Sequence, residues 1–266
     1  MLVMSSITQI QKQDAWRRKL ISCLVLVVVF LGACSQTEPR ASSRPQPLPT
    51  DFVNGGNCEP LELDRLPSDA GCVTEVTGDA DGDGKTDTLT LYARIGEDLR
   101  PLSWHMRLTT SGATSDQALD AGTKFSYPRA IGAADVNDDG RSEFFVKTLD
   151  LAGHGTAWKQ LNVFVLQGSK LAIVTSESEP LALRIGGITR MGEGVACPGH
   201  RLALLRAEAR NIRNTRWETS ARIFTLRGTE ARFVERTPGA LKLGDYNDPA
   251  LDRYYKLNCD SLSVSA

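Results

Sequence analysis

The sequence predicts an all-β fold of about three antiparallel sheets, closed by a short helical turn near the C-terminus. Three observations predict it. Short β-branched and aromatic runs recur between turn glycines. Two acidic loops each lead directly into such a run. Related segments return at a period of roughly 55–60 residues, close to the range of β-repeat proteins.

The elements follow in order. Thr88-Leu89-Thr90-Leu91-Tyr92 alternates polar and apolar residues, as a half-buried strand does. Phe144-Phe145-Val146-Lys147, Leu161-Asn162-Val163-Phe164-Val165-Leu166 and Ala221-Arg222-Ile223-Phe224-Thr225-Leu226 suit a pleated surface. Gln167-Gly168-Ser169 and Arg227-Gly228-Thr229 supply hairpin turns. The segments around these two turns match in pattern, and Trp104, Trp158 and Trp217 recur at similar separations as core candidates. The repeats run about 58–115, 125–178 and 181–237, with a tail at 238–266. In that tail Asn247-Asp248-Pro249 marks a helix start, with Pro at the first helical position.

The N-terminal part of the 266-residue chain reads differently. Arg17-Arg18-Lys19 precedes an apolar run at 20–30 and then Leu31-Gly32-Ala33-Cys34, the pattern of an export signal over 1–33. Leu31-Gly32-Ala33-Cys34 resembles the lipobox of bacterial lipoproteins. That resemblance implies lipidation of Cys34, a mature chain starting there, and residence outside the cytoplasm on the cell membrane or outer envelope. An ordinary signal peptide or an uncut anchor are the alternatives. Residues 34–57 hold Pro39, Pro45, Pro47 and Pro49 with almost no large apolar side chain, which reads as a disordered tether. The folded domain is expected over 58–259. A net charge of −1 gives no field that favours nucleic acid.

After Cys34 come four cysteines, an even count that favours disulfides in an exported chain. Three pairings of four cysteines are possible; the favoured one is Cys58–Cys72, a clamp at the start of the domain, with Cys197–Cys259, a clamp on the tail. Zinc at Cys197 and His200 is the competing reading, weak without a second ligand pair.

The acidic loops are Asp79-Ala80-Asp81-Gly82-Asp83-Gly84-Lys85-Thr86-Asp87 and Asp135-Val136-Asn137-Asp138-Asp139-Gly140-Arg141-Ser142-Glu143. Each places side-chain oxygens at positions 1, 3, 5 and 9 and Gly at position 6, the spacing of a calcium loop. The ligands expected from side chains are Asp79, Asp81, Asp83 and Asp87, then Asp135, Asn137, Asp139 and Glu143. Lys85 and Arg141 would offer backbone carbonyls. Two structural Ca2+ ions are expected. Position 12 is Thr90 or Val146 inside a strand, which excludes an EF-hand. Two ion-free Asp-Gly turns are the alternative. The third repeat has no such loop, and Cys197 is expected to restrain its turn instead. Asp245-Tyr246-Asn247-Asp248-Pro249 is discounted because Pro occupies a ligand position.

The two loops, with the strands after them, look like FG-GAP or VCBS-type repeats of integrin-like β-propellers over roughly 72–237. The resemblance implies propeller-blade-like sheets with structural calcium in the loops and partner contacts on the faces. Three blades are fewer than a closed ring takes, so the propeller is expected to be open or incomplete. The functional expectation is a lipid-anchored, calcium-binding scaffold or binding module without enzymatic activity, contacting an envelope protein or glycan. An extracytoplasmic hydrolase or carbohydrate-active enzyme is the alternative. His105, His154 and His200 are the only histidines, and no nucleophile elbow or metalloprotease motif is present. Arg206, Arg210, Arg213 and Arg216 read as a solvated strand face that could also contact an anionic glycan or lipid head group.

Overall fold

The structure, a computed structural model, describes residues 58–119, 127–153, 156–244, 247–259 and 262–265, with backbone alone for 151–153 and 156. The expected signal, Cys34 and the tether lie outside the described residues, as do His154 and Asp245. No described helix is long and apolar enough to cross a membrane.

The described chain is all-β, in antiparallel sheets that do not close into a ring. The first sheet is a four-stranded meander: β1 (Ala70–Gly78), β2 (Asp87–Ile95), β3 (Pro101–Thr109) and β4 (Thr114–Leu119). A second meander follows: β5 (Arg129–Ala134), β6 (Glu143–Gly153), β7 (Thr156–Gln167) and β8 (Lys170–Ile173). Two short strands, β9 (Thr175–Ser176) and β10 (Glu179–Pro180), come next. They lead to β11 (Leu183–Ile188), β12 (Met191–Ala196), β13 (Leu202–Ala209), β14 (Arg216–Arg227) and β15 (Glu230–Lys242), paired in succession.

The expectation of three separate sheets needs correcting. β11 pairs with both β7 and β12, so everything after β4 joins one 13-stranded sheet. Length decides this: β8 takes the Phe164–Gln167 end of β7, which leaves its other end free for β11. The long strand thus serves two partners at a sheet corner.

Alternation along the strands builds the core. On β6 and β7, Phe144, Val146 and Phe164 pack with Leu89, Met106 and Leu108 of the first sheet. Their neighbours Phe145, Val163 and Val165 point the opposite way and pack with Leu202, Phe224 and Leu226. Successive residues of a strand face opposite sides, so one meander fills two cores. Truncating a buried Phe here would cost about 3–5 kcal/mol. Trp104 and Trp217 are buried, and Trp158 is half-buried.

The tail adds structure. A 3-10 helix spans Pro249–Tyr254, capped by Asp248, whose side chain accepts from the Ala250 N–H. Leu251 and Tyr254 bury against Leu205 and Trp217. β16 (Lys256–Cys259) then pairs in parallel with the Val195–Ala196 end of β12, and antiparallel with β17 (Leu262–Ser265). This close approach requires glycine on β12: a Cβ at Gly194 would meet the Arg253 carbonyl oxygen at 2.2 Å. Disulfides join Cys58 to Cys72 and Cys197 to Cys259, the two expected pairs. With its sulfur in a disulfide, Cys197 is no zinc ligand. Two disulfides fit an oxidising, extracytoplasmic setting.

Candidate metal centre

The first acidic loop connects β1 to β2, and the second connects β5 to β6. Both have the same internal wiring. Asp79 accepts from the backbone N–H groups of Gly82 at 2.7 Å and Gly84 at 2.8 Å. Asp135 accepts from Gly140 N–H at 2.9 Å and Asp139 N–H at 3.2 Å. Asp81 and Asn137 each accept from the N–H two residues on. These contacts hold the chain in a tight turn. Position 6 needs the left-handed region in both loops, with φ of 78° at Gly84 and 80° at Gly140, where a side chain would be strained.

Position 9 begins the following strand, and its carboxylate turns back under the loop. Asp87 is 1% exposed, with one oxygen accepting from Ala80 N–H at 2.8 Å. Glu143 is 2% exposed, with one oxygen accepting from Val136 N–H at 2.7 Å. Burial pushes the Glu143 carboxyl up to about 8; the carboxylates of Asp139 and Asp135 add to this, and the Val136 N–H opposes it.

The loops differ in how far their carboxylates converge. Asp79, Asp81 and Asp87 bring ligand oxygens within 4.8 Å of one another. Among the described residues, no second group of acids, histidines or cysteines reaches that spacing. Asp83 stands outside the triad. Its carboxylate accepts from Ser111 Oγ at 2.6 Å and from Lys85 Nζ at 3.1 Å. The Ser111 hydroxyl, then the Lys85 contacts, hold its carboxyl down at about 2. In the second loop Asn137 Nδ2 donates to Asp139 at 3.0 Å, a contact that an acid at 137 could not make.

One atom stands out. Oδ1 of Asp87 is buried and has no hydrogen-bond partner, although the other oxygen of that carboxylate has one. Leaving a buried polar atom unpaired costs about 1–3 kcal/mol, more for a charged group. The triad therefore combines three acids, a buried unsatisfied oxygen and an all-oxygen donor set. Those are features that a hard divalent cation satisfies.

The loops also touch. Ser142 N–H donates to the Asp79 carbonyl at 2.6 Å, and Asp79 N–H donates to Ser142 Oγ at 3.1 Å. His200, in the turn between β12 and β13, lies 3.8 Å from Asp138. The turns of the three meanders thus follow one another in space.

A second polar cluster lies on the first sheet. Ser103 Oγ is 3.1 Å from His105 Nε2, and His105 Nδ1 is 3.6 Å from Asp116 Oδ1. No motif signals this grouping, because register brings Asp116 beside β3 from β4. The order resembles a nucleophile, base and carboxylate. However, Asp116 is also bound by Arg107 at 2.7 Å and by the Tyr92 hydroxyl at 2.8 Å. Ser103 pairs with β2, and from Trp104 onward β3 pairs with both β2 and β4, so the backbone there is engaged in the sheet ladders.

Of the arginines noted in the sequence, Arg210 pairs with Glu208 and Glu218, and Arg206 contacts Glu208. No protein-family model matches this chain, and no curated protein matches it.

Proposed function

We propose that this protein is an exported, lipid-anchored envelope module whose β domain is stabilised by calcium and acts by binding rather than by catalysis. The observation that carries the cation reading is the buried, unpartnered Asp87 Oδ1 within the triad of Asp79, Asp81 and Asp87. Calcium is favoured over softer metals because every donor is oxygen, and over magnesium because the loop offers many protein oxygens where magnesium keeps several waters. Asp83 and the Lys85 carbonyl would complete the first site after a rotation of Asp83 away from Ser111. Asp135, Asn137, Asp139, the Arg141 carbonyl and Glu143 would form a second, weaker site.

The likeness to FG-GAP or VCBS-type repeats is supported by three successive meanders, β1–β4, β5–β8 and β12–β15, with a turn in the same place in each. In this reading they are blades of an open propeller, the last two edge-joined through β11. The Cys197–Cys259 bond restrains the third turn. Anchoring is supported by Leu31-Gly32-Ala33-Cys34 at the end of the apolar run, and export by the two disulfides.

Calorimetric titration of the chelator-treated protein with calcium tests the cation reading. The expected result is one tight and one weaker site, with the tight one lost in Asp81→Ala. No heat in the parent protein, or the same stoichiometry in both, overturns it. Cys34→Ser tests the anchor: the protein should leave the membrane fraction or remain unprocessed, and unchanged fractionation and mass refute it.

The hydrolase alternative has one observation in its favour, the Ser103–His105–Asp116 series. Labelling of Ser103 by a fluorophosphonate, lost in His105→Ala, would establish it in place of the binding reading.

A further inference from the structure

Four arginines from four strands line one cleft of about 360 Å³ across β11–β15: Arg184 of β11, Arg206 of β13, Arg222 of β14 and Arg236 of β15. A single carboxylate, Glu193, shares the lining. Arg222 and Arg236 lie directly opposite each other across the β14–β15 ladder. Like charges so placed repel and weaken a sheet. Some other arginines of this sheet are neutralised, Arg210 by Glu208 and Glu218 and Arg232 by Glu230, while Arg129, Arg216 and Arg227 stand singly with no carboxylate partner among the described residues. Among the described residues, Arg184, Arg222 and Arg236 pair with no carboxylate. Arg222 instead lies over the rings of Phe224 at 5.2 Å and Phe233 at 6.0 Å, which fixes its guanidinium without cancelling its charge.

We infer that this cleft binds a strand of acidic polysaccharide through its carboxylate or sulfate groups. The inference rests on the preceding reading only for the extracytoplasmic setting, and it names the class of partner. Guanidinium forks match planar carboxylates and the oxygens of sulfate with paired hydrogen bonds. A linear acidic glycan repeats its charge and can meet several arginines at once. Ser220 and Glu193, also in the lining, suit its hydroxyls. Two other anionic partners fit less well. No aromatic side chain lines the cleft, so of the Trp, Tyr and Arg anchors that dominate protein interfaces it offers arginine alone. A recess in a sheet face also meets a flat bilayer poorly.

The test is binding of the full chain to polygalacturonate and to dextran sulfate, with uncharged dextran as control. Both acidic polymers should bind, dextran should not, and affinity should fall as salt rises. The double variant Arg184→Gln/Arg236→Gln removes two exposed, unpaired charges and should fold. It should bind about a hundredfold more weakly, about tenfold per charge-assisted contact. Arg201→Gln/Arg227→Gln removes the same charge outside the cleft and should change affinity less than about threefold. Asp87→Asn should leave glycan binding intact, so failure of the cation reading and failure of this one are separable. Absence of binding, equal loss in the two double variants, or equal affinity for polyglutamate or phosphatidylglycerol vesicles overturns the inference.

Discussion

Asp87→Asn reverses sign between cation-free and cation-loaded protein, and this makes it the sharpest test of the first loop. Three carboxylate oxygens lie within 4.8 Å of one another. Two unit charges at that distance repel by about 3.5 kcal/mol at an effective dielectric near 20, and by about 1 kcal/mol in water. Asp79 and Asp81 are half-buried, so water screens them and the smaller figure applies to most of the repulsion. The asparagine oxygen can still accept from Ala80 N–H. Its amide nitrogen then takes the place of the unpartnered Oδ1 and faces Asp79 and Asp81 as a donor. In chelator the variant should therefore be more stable than the parent by about 1–2 kcal/mol, or about 2–8 °C for a domain of this size. With calcium at a hundredfold excess over Kd, the parent gains about 2.7 kcal/mol, or about 5–11 °C. The variant lacks a buried charged ligand and should gain less than about 2 °C. Scanning calorimetry with chelator and then with calcium reads both shifts. A variant that melts below the parent in chelator, or rises as far as the parent with calcium, refutes the reasoning.

Three further outcomes are expected. Cys197 and Cys259 close a longer loop than Cys58 and Cys72, with sequence separations of 62 and 14, so losing each bond should cost about 4 and about 3 kcal/mol in denaturant titration of Ala double variants. Gly194→Ala should destabilise by at least about 1–3 kcal/mol and speed proteolysis of the tail, because the new methyl collides with the Arg253 carbonyl, and neither can move without unseating β16. Burial, then the hydrogen bond to Asp116, pushes the Tyr92 hydroxyl up to about 12. The folded protein thus holds this proton more tightly than the unfolded chain, and the associated stability is present below about pH 10 and lost as pH rises through about 12. Absorbance titration should show a phenol with that midpoint, absent in Tyr92→Phe.

Much of the site was legible because loop chemistry is local. Alternate oxygens and a glycine within nine residues fold against their own backbone, so spacing alone placed Asp79, Asp81 and Asp87 together; that Asp87 and Glu143 are buried came from the structure. Spacing did not place Asp83, since Ser111 competes for its carboxylate from the turn between β3 and β4. The cluster of Ser103, His105 and Asp116 was equally hidden, because cross-strand register assembles it.

The sequence by itself determined the β class, the strand cores, the two acidic turns and an even set of cysteines suited to disulfides. Each of these follows from period-two alternation, short-range turn geometry or the parity of cysteines in an exported chain. Only the tertiary structure decided that β11 fuses the last two meanders, that the tail returns as β16 beside β12, and that Arg184, Arg222 and Arg236 share one cleft. Those outcomes depend on which strand edges are left unpaired and which residues come into register across them, relations between distant segments that no local pattern encodes.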